Sequence, residues 1–168
     1  QLATGQPALS EVVGLDTAGR SAPTILELAA KRGMATGLVT DTRITHATPA
    51  AFAAHVPSRH MEVEIAGQLL LSPADLLFGG GARYFTPAAM GKKKFQKRYQ
   101  APFAMKSHRK DERNLLEEAK ANGFSLLFSR EQMERYQDKK GRVLGLFSKS
   151  GMPDGIEERD TIGNPKRT

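Results

Sequence analysis

Apolar positions recur every three to four residues in some stretches of the chain and run together in others, and the two patterns alternate. In SAPTILELAAKRG, residues 21–33, Ile25, Leu28 and Ala29 share a helical face, Ser21 offers an N-cap hydroxyl, Glu27 lies early, and Gly33 follows the basic residues as a stop. The short apolar, β-branched run from Ala35 to Thr40 predicts a buried strand. Helical spacing returns from Arg59 to Leu71 through Met61, Ile65 and Leu69, and ADLLFGGG, residues 74–81, predicts a second buried strand closed by glycines. DERNLLEEAKANG, residues 111–123, predicts an amphipathic helix with acids in its first turn and Gly123 at its end. FSLLFS and RVLGLFS predict strands on either side of a last helix, SREQMERYQ. Strand and helix therefore alternate, which predicts an α/β fold: a doubly wound, mostly parallel sheet with helices on both faces and ligands beyond the carboxyl ends of the strands.

Two segments depart from that pattern. Residues 91–113, GKKKFQKRYQAPFAMKSHRKDER, are basic with scattered aromatics and no sustained apolar face, and predict a surface insertion. Residues 148–168 are rich in Gly, Pro and charge and read as an open connecting tail. The opening QLATGQPAL resembles the body of a helix whose start is missing, so residues 1–168 are expected to form a single partial α/β domain.

Composition narrows the chemistry more than the fold. The 168 residues are 39% hydrophobic, enough for one domain with a real core. There is no cysteine, so disulfides, thiolate metal sites and cysteine nucleophiles are excluded, and a metal would be held by oxygen or imidazole. No apolar run approaches the ~20 residues of a membrane span, and a formal net charge of +7 favours anionic partners without choosing among them.

The stretch THATPAAFAAHVPSR, residues 45–59, gathers a hydroxyl, two imidazoles and a guanidinium at the end of the first predicted strand. Thr48 and Pro49 read as an N-cap and first-turn pair, which turns the free N–H groups and positive dipole end of a helix toward an anion or a metal-bound oxyanion. The plainer alternative is that Thr48 only caps its helix, His46 fills a loop, His55 packs on a helix face and Arg59 is solvated. A helix over residues 49–56 would hold its ends roughly 12 Å apart at about 1.5 Å per residue. Thr48 and Arg59 can then share a site only if the chain folds back after Pro57.

VTDTRITHATPAAFAAHVPSR, together with EIAGQLL, ADLLFGGGARYF, LLEEAKANGFSLLFS and VLGLFSKSGMP in that order, resembles alkaline phosphatases over most of the chain. The resemblance implies an alkaline-phosphatase-like domain and metal-dependent hydrolysis of phosphate monoesters. It puts the family's hydroxyl ligand to Mg2+ on Thr48, and the planar fork that holds two phosphate oxygens on Arg59. His46 falls where the family has aspartate or histidine, acting near the magnesium through water. His55 matches a histidine often present in this stretch, for which packing or capping is the expected role.

The family's serine nucleophile, the ligands of its two Zn2+ ions and its magnesium-binding glutamate have no counterpart in these residues, so the chain is expected to be an internal segment, inactive alone. The resemblance also implies a phosphate monoester substrate, a homodimer in the intact protein, a periplasmic or secreted location, and no nucleic-acid partner. The rival reading is a basic nucleic-acid or anion-binding module without catalysis, built on GKKKFQKRYQ with Phe95 and Tyr99 as stacking rings, for which a solvated lysine-rich loop is the plainer reading. The glycines at 79–81 could cradle a phosphate but lack the following Lys-Ser/Thr of a P-loop, so a strand-end turn is expected there.

Overall fold

The computed structural model describes residues 1–137 and 141–153. Four parallel strands form one sheet in the order β1-β2-β4-β3: β1 is Gly37–Arg43, β2 Leu76–Gly80, β3 Phe124–Leu127 and β4 Arg142–Leu146. The helices are α1 (Ile25–Lys31), α2 (Ala47–Ala50), α3 (Glu62–Leu71), α4 (Lys92–Tyr99), α5 (Leu115–Ala121) and α6 (Arg130–Arg135). The chain moves one way across the sheet from β1 to β3, then turns back to insert β4 between β3 and β2. This is the α/β parallel architecture expected from the alternation of periods.

Inside this frame, Ile65, Leu69, Leu77, Leu115, Leu116 and Leu144 are fully buried, and each such side chain contributes roughly 1.5–3 kcal/mol. Helix α3 packs on α5, and α5 on β3. Arg142 ties α3 to the sheet. Its guanidinium donates to the carbonyls of Leu70 in the last turn of the helix and of Ser72 and Ala74 beyond it, and lies 4.0 Å from the Phe124 ring centre, a cation placed where the helix dipole is negative.

Several sequence expectations shift in place. The N-cap of α1 is Thr24, not Ser21: Thr24 Oγ1 accepts from Glu27 N at 3.1 Å, while Glu27 Oε2 accepts from Thr24 N at 2.9 Å, a reciprocal capping box. The first predicted strand runs from Gly37 to Arg43 and is an edge strand with no fully buried residue, not the buried strand expected, because β2 covers it on one side only. The helix expected from Arg59 starts at Glu62. Residues 1–5 make one helical turn, with Gly5 N donating to Gln1 O at 2.8 Å, and the turn ends at Gly5.

The largest difference is in residues 91–113, which are not a surface insertion without an apolar face. They include α4, whose Phe95 is fully buried against Phe103, Phe128 and Tyr99, with ring centres 5.3–5.8 Å apart. Phe95 and Tyr99 stand at i and i+4, so one narrow face buries two aromatic rings while five cations occupy the rest of the helix. Farther along, Arg109 is also buried, bonded in bidentate fashion to Asp111 and donating to the carbonyls of Val63 and Tyr84. At the other departure from the pattern, residues 148–153 are tied to the strand ends, with Met152 N donating to Asp41 O at 2.8 Å. The rest of the expected tail, residues 154–168, lies outside the described residues.

Candidate functional site

Because all four strands run the same way, their carboxyl ends share one edge, and the polar residues of the 43–62 stretch collect there. Helix α2 begins at Ala47, with His46 in the N-cap position and no side-chain cap. Thr48 is therefore inside the first turn and exposed, not the cap expected for it. Pro49 is tolerated at this point because the N–H groups of the first turn have no intrahelical partner to lose.

After α2 the chain does fold back. Val13 and Val56 form an antiparallel bridge with N–H to O distances of 3.0 and 2.9 Å, and Arg59 N donates to Glu11 O at 2.7 Å. The N-terminal segment thus pins the loop that carries Arg59. Gly14 makes the close approach possible: its φ of +65° suits glycine, and a Cβ there would collide with the Ala54 carbonyl and the His55 ring.

This path brings Arg59 and His46 together, with Arg59 Nη2 3.1 Å from His46 Nε2. Arginine only donates, so Nε2 must accept and the imidazole is the neutral Nδ1–H tautomer. The His46 pKa is lowered by burial and by the adjacent Arg43 and Arg59 charges, which agrees with that tautomer. The carboxylate of Glu11 stands 3.9 Å from Arg59 Nε and is half exposed, so it leaves much of the fork unengaged.

Three residues on, the same strand end carries a different cluster that sequence reasoning missed. Glu62 Oε2 and Oε1 accept from Arg43 Nε and Nη2 at 2.8 and 3.0 Å, Thr45 Oγ1 donates at 2.6 Å, and Tyr84 Oη donates at 3.0 Å. Burial pushes the Glu62 pKa up, but the Arg43, Thr45 and Tyr84 hydrogen bonds outweigh it and the net shift is down. The signal was the R-x-T pair on a strand end with Glu62 opening the next helix, and it has no periodicity to reveal it.

His55 has the packing role expected of it. Its Nδ1 lies 2.7 Å from Gly14 O and its Nε2 3.0 Å from Glu27 Oε1, which links the α2 exit to the α1 capping box. The glycines at 79–81 form a strand-end turn: the N–H groups of Gly81 and Ala82 are taken by the Ser148 carbonyl at 3.0 and 3.1 Å, so they do not cradle an anion.

Among the described residues no group of three or more His, Cys, Asp or Glu side chains could hold an ion. Thr48 offers one exposed neutral oxygen, and the His46 nitrogen that would bind is occupied by a guanidinium. These residues can complete a metal site begun elsewhere but do not form one alone.

The family model described as alkaline phosphatase matches residues 2–166. The chain belongs to the alkaline phosphatase family. Alkaline phosphatase 4 of Bacillus subtilis is 32% identical over 162 residues, covering 93% of this chain and 30% of that protein. The repressible alkaline phosphatase of Saccharomyces cerevisiae is 37% identical over 155 residues, covering 86% and 26%. Among solved structures, the Thermus thermophilus alkaline phosphatase superposes with a TM-score of 0.77 at 30% identity, over 94% of this chain and 29% of that one. The enzyme of the Antarctic bacterium TAB5 gives 0.71 at 28% identity, over 90% and 38%. This alkaline phosphatase segment thus spans about a third of the length of its relatives. Among its described residues no helix is long and apolar enough to cross a membrane.

Proposed function

We propose that the segment forms one wall of the active site of a metal-dependent phosphate monoesterase, with Arg59 as the group that holds the phosphate. The reading is carried by one observation: Arg59 returns to the carboxyl end of β1 and rests 3.1 Å from a neutral His46, its fork otherwise facing, among the described residues, a distant, exposed carboxylate. A guanidinium so placed can give two parallel N–H donors to a tetrahedral oxyanion and stabilise charge that grows during phosphoryl transfer. His46 acts as a positioning residue, accepting one Nη2 proton and so fixing the plane of the fork.

Thr48 is assigned as one magnesium ligand, through its exposed hydroxyl. Bound there, magnesium would supply a hard Lewis acid for oxygen donors. His46 stands beside that ion without coordinating it directly. Solved neighbours support metal dependence in the family: two variants of the TAB5 enzyme, with a histidine changed to glutamate or aspartate, are described with Mg bound in the M3 site. The serine nucleophile and the ligands of two zinc ions are assigned to sequence outside these residues, so the segment alone should release no phosphate from an aryl phosphate. The intact protein is read as a homodimer acting in the periplasm or after secretion.

The test is Arg59→Ala in the intact protein. We expect kcat/KM for an aryl phosphate to fall by about 10²–10³-fold, the usual loss for a donor aimed at transition-state charge, with the unfolding midpoint nearly unchanged. Unchanged catalytic efficiency would remove Arg59 from the site. The rival nucleic-acid reading loses its stacking platform, because Phe95 and Tyr99 are packed in the core.

A further inference from the structure

A second cluster of cations lies at the same edge of the sheet. A cleft of about 300 Å³ is lined by Arg83, Lys92, Ala104, Met105, Lys106, His108 and Lys149. Its four permanent cations come from four separate parts of the chain: the turn after β2, the start of α4, the loop before α5 and the segment after β4. Among the described residues no carboxylate lines it. Among the described residues the acid that acts electrostatically on His108 is Glu62, whose oxygens are already taken by Arg43, Thr45 and Tyr84.

Two features show that this arrangement costs free energy while the cleft holds no anion. Helix α4 opens with Lys92, Lys93 and Lys94 and has no acid in its first turn, which sets like charge against the positive end of its dipole. Arg83 Nε is buried with no hydrogen-bond partner among the described residues, although Arg83 Nη2 donates to Tyr84 Oη at 3.1 Å. A buried donor left unmet costs about 1–3 kcal/mol, so the Arg83 guanidinium is held beside the cleft at a cost. The lysine and arginine groups offer N–H donors and no acceptor. The ligand that suits them best is compact, more than singly charged and rich in acceptor oxygens.

We propose that this cleft is an oxyanion site for a phosphate dianion, either free inorganic phosphate or the phosphate end of a small organic ester. Arg83 supplies the fixed donors, Lys106 and Lys149 close on the oxygens as point charges, and Lys92 joins from the first turn of α4. His108 rests edge-on against Tyr84 at 5.3 Å and lies at the rim, where its ring reports on occupancy. The proposal does not rest on the assignment of Arg59.

The experiment uses the intact protein with Arg59→Ala already in place, so that phosphate held at the proposed active site does not mask the second site. Inorganic phosphate and, separately, non-hydrolysable phenylphosphonate are titrated while the His108 ring resonances and the heat of binding are followed. We expect saturable movement of the His108 resonances with at least one of the two, and at least about tenfold weaker binding in Lys106→Glu/Lys149→Glu. Response to phosphate alone would identify the free ion as the ligand, and response to both would identify the phosphate group of an ester. No His108 response to either, affinity unchanged by the double charge reversal, or tight binding of an oligonucleotide with no response to the small phosphates would each overturn the proposal.

Discussion

Two polar clusters, three residues apart on one strand end, show how partner saturation separates support from candidate chemistry. Arg43 and Thr45 converge on Glu62, and with Tyr84 they fill its two oxygens with four donors. His46, Thr48 and Arg59 share one contact, the 3.1 Å bond between imidazole and guanidinium, and Thr48 is exposed. Residue types are similar in the two, since each holds an arginine and a threonine. The difference lies in what is left over: in the first cluster the carboxylate is saturated and holds its arginine in a two-point bond, whereas among the described residues the second leaves most of a guanidinium and a hydroxyl unengaged.

The sharpest way to break this comparison is to exchange the expected consequences of the two arginines. Arg59→Ala should cost the intact enzyme the 10²–10³-fold in kcat/KM argued above, yet under about 0.5 kcal/mol of stability, because its ion pair with Glu11 is long and exposed. Arg59→Lys should recover only a small part of the rate, since an ammonium cannot offer two parallel donors. A loss of several kcal/mol in denaturant unfolding of Arg59→Ala would make Arg59 a structural residue like Arg43.

The reciprocal change is Glu62→Ala. It strands a guanidinium that is only 25% exposed beside an emptied acceptor, for which the expected loss is about 2–3 kcal/mol after allowance for partial exposure. Chemical denaturation of the intact protein measures it. Kinetics of the surviving folded fraction should change much less than for Arg59→Ala, and a catalytic defect equal to that of Arg59→Ala would merge the two clusters into one site. Gly14→Ala should come next in size. A side chain there collides with Ala54 and the His55 ring at a positive φ, so we expect about 2 kcal/mol of destabilisation. A modest fall in kcat/KM should follow, because the Val13–Val56 bridge holds the Arg59 loop. An alanine tolerated without cost would show that the loop is positioned by other contacts.

The sequence carried the sheet better than the site, and the reasons are physical. Apolar runs such as LLFGG and RVLGL match β2 and β4 because strands buried in a parallel sheet have no polar side to interrupt the run. Helix α1 starts later than the Ser21 hydroxyl suggests, because the T-x-x-E spacing of Thr24 and Glu27 supplies a reciprocal cap that Ser21 lacks. Helix α4 was hidden by charge: five cations mask the single i, i+4 pair, Phe95 and Tyr99, that anchors it. The proposed site residues come from the family resemblance, and the contact between His46 and Arg59 was not legible in the sequence. It depends on a pairing between residues 11–13 and 56–59, more than forty positions apart, and neither segment shows strand periodicity. The Glu62 cluster was missed for the same reason: its members come from β1, α3 and the turn after β2.

The smallest expected effect concerns how the closed cluster responds to acid. Burial works to raise the Glu62 pKa, and the hydrogen bonds from Arg43, Thr45 and Tyr84 overcome it, so the folded-state value lies below the ordinary 4.5. A depressed carboxylate pKa contributes stability that is fully present above the unfolded-state value and is lost as pH falls through the folded-state value. Glu62→Gln removes the titrating charge while keeping the shape and one acceptor oxygen. The variant should therefore be less stable than the parent near neutral pH, and the gap should narrow below the ordinary glutamate range as the parent's own Glu62 takes up a proton. Denaturant midpoints compared near neutral pH and near about pH 3 read that change. A gap that stayed constant across this range would mean that the carboxylate charge is not what Arg43, Thr45 and Tyr84 hold. The closed cluster would then be a set of neutral hydrogen bonds, and its contrast with the open one would no longer rest on charge.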